Sequence, residues 1–176
     1  MYNYQLLNDD LVKSINFTIK AHDGQYRKGS SIPYAVHPIR VAGLVNSITS
    51  QKPFLRAALF HDIFEDTDIR DLSEGCDGDV EIVTIYVNSL SRYDGESIQD
   101  YYDKISDGHE ALIKMCDRYD NLTDVDKRKK PYKSLKKTIE TTEIILSLAE
   151  KRWSSTWIYG RLFELHQKNK EEYCVH

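Results

Sequence analysis

The segment LFHDIFEDT, residues 59–67, places a His–Asp pair and a Glu–Asp pair four residues apart within an apolar run. On an α-helix, residues four apart lie one above the other, so Glu65 is expected over His61 and Asp66 over Asp62. Carboxylates crowded at the mouth of an apolar core repel one another and lose hydration, which is costly unless a cation or hydrogen-bond donors compensate. The segment therefore predicts a divalent metal site.

The donor types narrow the choice of metal. Imidazole nitrogens and carboxylate oxygens, without sulfur, suit manganese, iron and similar octahedral ions better than a structural zinc centre. One helix cannot complete such a shell, and the candidates for the rest are His37, which precedes Pro38, and Asp117, within the segment KMCDRYDNL. Two histidines and two carboxylates leave open coordination positions, as the hydrolysis of a phosphate ester requires.

Plainer explanations exist for each of these residues. An exposed helix end often carries a His–Asp pair for solubility alone, His37 could simply begin a helix, and Asp117 could be a solvated carboxylate among basic neighbours. The His–Asp pair, however, directly follows the apolar AALF and is in helical phase with the second acidic pair. This position favours the metal site.

The segments that must position these groups are predicted to be helices. Apolar residues recur at intervals of three and four before Gly24, after His37 and after Pro53, and the third of these segments carries the His–Asp pair. Residues 80–90 have the same spacing, although their β-branched side chains also suit a strand. A helix is the prediction there.

Further helices are predicted in the second half of the chain. Ser97 and Asp100 resemble a capping box, EALIKMCDRYDNL has helical spacing, and two amphipathic stretches near residues 135–149 and 158–165 follow. A chain of 176 residues fits one ordinary domain. The predicted fold class is all-α, a single-domain helical bundle that spans residues 1–176.

Composition excludes some classes of function. The net charge of −4 does not predict a broad surface for nucleic-acid polymers, and neither a signal peptide nor a membrane-spanning run is present, so a soluble cytoplasmic protein is expected. Cys76, Cys116 and Cys174 are far apart and lack the spacing of a disulfide framework or a thiolate zinc site. The spacing of His22, His109, His166 and His176 adds no further ligand.

Three segments together resemble a known family. RKGSSIPYAVHPIRVAGLV, AALFHDIFEDT and IKMCDRYDNLTDV are similar to successive signature segments of the HD-domain hydrolases of the RelA/SpoT group, including the stand-alone small alarmone hydrolases. KKTIETTEIILSLAE is similar to the helix that follows in those proteins. The resemblance runs from about Ala21 to about Leu165 and leaves no stretch for synthetase or regulatory domains. It implies a monofunctional hydrolase with the HD-domain fold.

The resemblance implies a complete catalytic centre. One manganese ion would be bound by the four residues already identified as candidates, namely His37, His61, Asp62 and Asp117. Glu65 and Asp66 match the acidic pair that orients or activates the attacking water in the family. Because this acidic segment is complete, an active enzyme is expected.

The resemblance also implies residues that bind the substrate. Arg27 and Lys28, with Ser30 or Ser31 behind them, match the segment that packs on guanine and contacts the nucleotide, and Asn121 matches a nucleotide-contacting asparagine. A planar guanidinium suits stacking on a base, and an ammonium suits a phosphate. Without the motif, the Arg–Lys pair would be read as a solvated turn.

The chain departs from the family after the Asp–Arg pair. Where the group usually has N-M-R-T, this chain has N-L-T-D, so that an arginine is missing and Asp124 is added. The tract DKRKKPYKSLKK contains seven basic residues, Lys127, Arg128, Lys129, Lys130, Lys133, Lys136 and Lys137. These could supply the lost positive charge to a pyrophosphate group, or they could simply be solvated.

The reading that follows is metal-dependent removal of the 3′-pyrophosphate from guanosine tetra- or pentaphosphate, which gives GDP or GTP and pyrophosphate. One alternative is the same chemistry on another nucleotide, such as a 3′- or 2′-phosphorylated nucleotide, a nicotinamide dinucleotide phosphate or a nucleoside monophosphate. A catalytically silent alarmone-binding module, or a helical interaction protein, is the other. In the first two readings the partner is a small nucleotide, with no polymer or membrane involved.

Overall fold

The computed structural model describes residues 9–105, 108–123 and 132–174. In those ranges the regular structure is helical, apart from one isolated β-bridge between Tyr26 and Pro33. The α-helices are α1 (Asp9–Ala21), α2 (Val36–Asn46), α3 (Lys52–Phe60), α4 (Ile63–Asp66), α5 (Val80–Leu90), α6 (Ile98–Asp103), α7 (His109–Thr123), α8 (Tyr132–Trp153) and α9 (Trp157–Cys174). The all-α prediction is confirmed.

Several residues named in the sequence analysis are not described by the structure. Asp124 and the basic residues Lys127, Arg128, Lys129 and Lys130 lie outside the described residues. None of the helices within the described ranges is long and apolar enough to cross a membrane.

The chain divides into two compact units, Met1–Tyr101 and Tyr102–His176. The assignment of residues 1–176 to one domain stays a prediction. In the second unit, α7, α8 and α9 each contact the other two. Their buried residues include Leu112, Met115, Leu146 and Leu162, as the amphipathic spacing predicts.

Helix α3 is the centre of the first unit. Every residue from Phe54 to Phe60 is buried, and the helix contacts α1, α2 and α5. A helix that is buried on all sides must lie between other elements. Its buried charged residue, Arg56, forms an ion pair with Asp79 and hydrogen-bonds Ser14 Oγ at 3.2 Å, because a buried charge needs partners.

The prediction of one continuous helix through the His–Asp and Glu–Asp pairs is wrong. Helix α3 ends at Phe60, and α4 begins only at Ile63. Nδ1 of His61 hydrogen-bonds the carbonyl oxygen of Ala58 at 2.8 Å, a local side-chain contact that competes with helix continuation. The interruption therefore lies at the two residues proposed as metal ligands.

Two other helix predictions are confirmed. Residues 80–90 form α5, with Val83, Val87 and Leu90 on the buried face, so tertiary packing outweighs the β-branched composition. Ser97 caps α6, since its Oγ accepts a hydrogen bond of 3.1 Å from the backbone N–H of Asp100, while its hydroxyl donates one of 2.7 Å to that residue's carboxylate.

The 3-10 turn Ser73–Gly75 packs on α1, and Gly75 has no room for a side chain. A Cβ on Gly75 would lie 2.7 Å from an atom of the Phe17 ring and 2.7 Å from one of the Phe60 ring. We expect Gly75→Ala to lower the free energy of unfolding by about 1–3 kcal/mol through overpacking, as measured by urea denaturation. Gly43→Ala is the matched control, because nothing lies within 4 Å of its Cβ position and helical alanine should stabilise slightly. Equal stability of the Gly75→Ala variant and the parent would contradict the packing described.

Candidate metal centre

Three of the four residues predicted to bind metal lie together in the first unit. Asp62 Oδ2 is 3.0 Å from Nε2 of His61 and 3.6 Å from Nε2 of His37. The two imidazole rings meet edge to face, with centroids 5.2 Å apart. His37 is 1% exposed and His61 is 0% exposed, so both rings are out of water. Helix α2 and the residue that follows α3 thus bring two buried imidazoles to one carboxylate.

The tautomer of His61 follows from its contact with the backbone. The carbonyl of Ala58 can only accept a hydrogen bond, so Nδ1 of His61 carries the proton. Nε2 is then the ring nitrogen that faces Asp62 Oδ2, at 3.0 Å. A nitrogen and a carboxylate oxygen at this distance need either a proton or a metal ion between them. The donor set, two imidazoles and a carboxylate, fits a divalent metal ion.

Tyr34 adjoins this group. Its hydroxyl donates a hydrogen bond of 2.7 Å to Asp62 Oδ2, and its ring centroid lies 5.9 Å from that of His37. Burial, and then the negative charge of Asp62, raise the pKa of the Tyr34 hydroxyl well above its usual range. The phenol therefore keeps its proton at any ordinary pH and can donate it to a carboxylate.

Sequence reasoning missed His22. This histidine follows α1, is 2% exposed, and has its ring centroid 4.9 Å from that of Tyr34. Nδ1 of His22 hydrogen-bonds Gln25 Oε1 at 2.8 Å, while Gln25 Nε2 donates to the backbone oxygen of Asp66 at 2.8 Å. Nε2 of His22 is buried and has no hydrogen-bond partner within the described ranges. No local spacing in the sequence indicated this contact.

The two acids of α4 are both exposed but have different partners. Glu65 Oε1 accepts a hydrogen bond of 2.7 Å from the backbone N–H of Arg92. For Asp66, partial burial of the carboxyl group, and then the charge of Asp62, raise the pKa. The Tyr34 hydroxyl, together with the two histidines His22 and His61, opposes that shift. Asp66 therefore interacts with the metal-site residues, whereas Glu65 is tethered to the segment after α5.

The segment between α1 and α2 folds back on itself. The backbone N–H of Arg27 donates to the oxygen of Ile32 at 2.9 Å, and Gly29 takes a positive φ of 76° at the turn. Ser30 Oγ stabilises the turn by accepting from the Ile32 N–H at 3.2 Å. Lys28 and Ser31 are exposed on the same turn.

Arg27 reaches the metal-site residues through Tyr34. Its guanidinium carbon lies 5.6 Å from the centroid of the Tyr34 ring, within the range of a cation–π contact. Of the three residues predicted to bind substrate in this turn, Arg27 is thus the one whose side chain contacts the group around Asp62.

The remaining predicted site residues lie in the second unit, on α7. Asp117 is buried, with Oδ2 2.9 Å from Nζ of Lys114 and Oδ1 accepting a hydrogen bond of 2.5 Å from Asn121 Nδ2. Lys136 and Lys137 of the basic tract are exposed on α8. The metal contact of Asp117 and the nucleotide contact of Asn121 stay predictions.

Comparison with known proteins finds relatives that are much longer than this chain. No protein-family model matches the chain. The chain is 27% identical over 196 residues to a guanosine-3′,5′-bis(diphosphate) 3′-pyrophosphohydrolase of Aquifex aeolicus, covering 94% of this chain and 27% of that protein. It is 30% identical to the protein of the same name from Vibrio cholerae, covering 74% of this chain and 20% of that one. A GTP pyrophosphokinase of Myxococcus xanthus is 28% identical, with 89% of this chain and 22% of that protein covered.

The chain therefore spans about a fifth to a quarter of the length of these curated relatives. Among solved structures, one described as a metazoan ortholog of SpoT that hydrolyzes ppGpp superposes with a TM-score of 0.70. The match covers 92% of this chain and 96% of that one at 20% identity, which shows a shared fold. These similarities confirm the resemblance to the HD-domain hydrolases of the RelA/SpoT group that the sequence motifs indicated.

Proposed function

We propose that this chain hydrolyses the 3′-pyrophosphate of guanosine tetra- or pentaphosphate to give GDP or GTP and pyrophosphate. The observation that carries the proposal is the convergence of His37, His61 and Asp62, two buried imidazoles and one carboxylate, beside the turn that bears Arg27. The names of the Aquifex and Vibrio relatives support the same reaction.

The proposed cofactor is manganese. His37, His61 and Asp62 would hold it, and Asp117 is proposed as the fourth ligand because it matches the Asp–Arg motif of the family. Nitrogen and oxygen donors without sulfur suit this ion. When bound, a divalent metal would polarise the phosphate and lower the pKa of a water molecule.

The protein's own acids would manage protons and water. Hydrolysis adds a water oxygen to the phosphorus at the 3′ position, breaks the bond from that phosphorus to the ribose oxygen, and delivers a proton to that oxygen. Asp66 interacts with Asp62, Tyr34 and His22 and is the proposed proton carrier. Glu65, held by the Arg92 N–H, is the proposed orienting group for the water.

The nucleoside would be held by the turn between α1 and α2. The Arg27 guanidinium is planar and already lies against one aromatic ring, so its chemistry suits stacking on guanine. Lys28 and Ser31 are exposed on the same turn and are proposed to contact the phosphates and the sugar. Asn121 is proposed as a further contact to the nucleotide.

A second candidate is the same hydrolysis on a different phosphorylated nucleotide. The segment N-L-T-D at residues 121–124 lacks the arginine usual in the family and adds an acid there. The loss of the arginine, with Thr123 in its place, and the acid at Asp124 together alter the charge offered to a phosphate group. An assay of the products released from each nucleotide therefore distinguishes the two candidate substrates.

The identity of the products tests the proposal directly. Purified protein, incubated with manganese and guanosine tetraphosphate, should give GDP and pyrophosphate in equal amounts, identified by ion-exchange chromatography. A 3′-phosphorylated nucleotide, a nicotinamide dinucleotide phosphate and GMP, assayed in parallel, would instead release orthophosphate if the second candidate holds. Tight binding of guanosine tetraphosphate without any product would indicate a silent binding module.

Removal of the Asp62 carboxylate tests the metal centre. We expect Asp62→Ala to weaken binding of Mn²⁺ by at least about 100-fold, measured by isothermal titration, and to abolish turnover. Asp94→Ala is the matched control, because it removes one exposed carboxylate and should leave Mn²⁺ affinity unchanged. Full activity of the Asp62→Ala variant would rule out the metal mechanism.

Substitution of Asp66 separates proton transfer from metal binding. Asp66→Asn should lower kcat by about 10²- to 10⁴-fold, the range for loss of a general acid or base, while Mn²⁺ affinity stays close to that of the parent. Glu65→Gln should have a smaller effect, because an amide oxygen can still accept the Arg92 N–H. A kcat for Asp66→Asn equal to that of the parent would remove Asp66 from the mechanism.

A further inference from the structure

The hydroxyl of Tyr34 fixes the orientation of the Asp62 carboxylate. An ionised carboxylate can only accept hydrogen bonds, so the phenol is the donor in the 2.7 Å contact to Oδ2. The same oxygen faces Nε2 of His61 at 3.0 Å and Nε2 of His37 at 3.6 Å. Tyr34 therefore holds Oδ2 in the direction from which, with both imidazoles, it could bind one cation.

The Tyr34 ring is itself held in place. Its centroid lies 4.9 Å from the His22 ring and 5.9 Å from the His37 ring. Its backbone N–H donates to the oxygen of Gln25 at 2.9 Å, and Gln25 also hydrogen-bonds His22 and the backbone of Asp66. With ring neighbours, a backbone hydrogen bond and the hydroxyl contact all in place, the phenol has little freedom to turn away from Asp62.

The ring also contacts the residue proposed to stack on guanine. The Arg27 guanidinium carbon lies 5.6 Å from the Tyr34 centroid. A cation over an aromatic ring loses mobility, which lowers the entropy cost when the same guanidinium later meets a base. The Tyr34 side chain thus contacts both Asp62, a proposed metal ligand, and Arg27, the residue proposed to bind the base.

We propose that Tyr34 is a positioning residue that joins the two halves of the site: its hydroxyl sets Asp62 for the metal and its ring sets Arg27 for the base. The metal half stands on the geometry of the first unit. The base half rests on the proposed function.

The metal half is tested on the protein without nucleotide. Tyr34→Phe keeps the ring and removes only the donor, and groups that orient a metal ligand typically change affinity by about 10- to 100-fold. We expect isothermal titration to show Mn²⁺ binding about tenfold weaker, with a melting temperature close to that of the parent. Tyr26→Phe is the matched control, since it removes a hydroxyl from the same turn at a residue that is 61% exposed. Equal Mn²⁺ affinity of the Tyr34→Phe and Tyr26→Phe variants would overturn the metal half.

The base half is tested with GDP, which contains the guanine and needs no turnover. Tyr34→Phe should leave the dissociation constant of GDP unchanged, and Tyr34→Leu should raise it about two- to fivefold through loss of the cation–π contact. In an Arg27→Ala background, Tyr34→Leu should add no further loss. An equal loss with and without Arg27 would overturn the base half.

These experiments separate the inference from the proposed function. If the parent protein binds Mn²⁺ tightly but hydrolyses none of the nucleotides, the proposed function is wrong. Weaker Mn²⁺ binding by Tyr34→Phe would still support the metal half in that case. If the parent is active and Tyr34→Phe binds Mn²⁺ as the parent does, only the inference fails. A parent protein that binds no Mn²⁺ would overturn both.

Discussion

The first unit is organised around the need to place a positive charge among buried acceptors. Two imidazoles with almost no exposure to water face one carboxylate, and the hydrogen bond of His61 Nδ1 to Ala58 leaves Nε2 as the nitrogen directed at that carboxylate. Acceptors gathered in this way repel one another unless a cation neutralises them. The burial of α3 makes the site dry enough for that interaction to be strong, because charges attract more in a medium of low dielectric constant.

The interruption between α3 and α4 serves the same need. Regular helix geometry would stack residues four apart, which would crowd both acids of the second pair against the first. Instead, Glu65 is held by the Arg92 backbone and Asp66 interacts with Asp62 and Tyr34. A local departure from the helix thus gives two neighbouring carboxylates different environments and, under the proposed function, different roles.

The sequence was sufficient for the fold class and for the meeting of His37, His61 and Asp62. Periodic apolar spacing predicted most helices, including α5, whose β-branched composition left a strand open. The end of α3 at Phe60 was not predictable, because the hydrogen bond of His61 to Ala58 leaves no trace in the apolar pattern. The contacts of His22 and Glu65 were also not predictable, because they form only in the tertiary structure.

His22 is the clearest example of a residue that no local pattern could identify. It enters the site by packing against Tyr34 and by a hydrogen bond to Gln25, both of which exist only after the segment between α1 and α2 has folded back. The separation of Glu65 from Asp66 has a similar origin, since the tether of Glu65 comes from Arg92, far along the chain. Spacing along a helix predicts which residues are neighbours, whereas their partners come from other elements.

The charges of the first unit also imply an order of binding under the proposed function. Asp62, Glu65 and Asp66 are acids around the centre, while Arg27 and Lys28 are the basic residues on the adjoining turn. A nucleotide with several phosphate charges would be repelled by three carboxylates at short range, and two basic side chains do not outnumber them. A divalent cation reverses that balance because it removes two negative charges at the point where the phosphates must approach. Under the proposed function the metal would therefore bind first, and Tyr34 contacts both Asp62, on the metal side, and Arg27, on the nucleotide-binding turn.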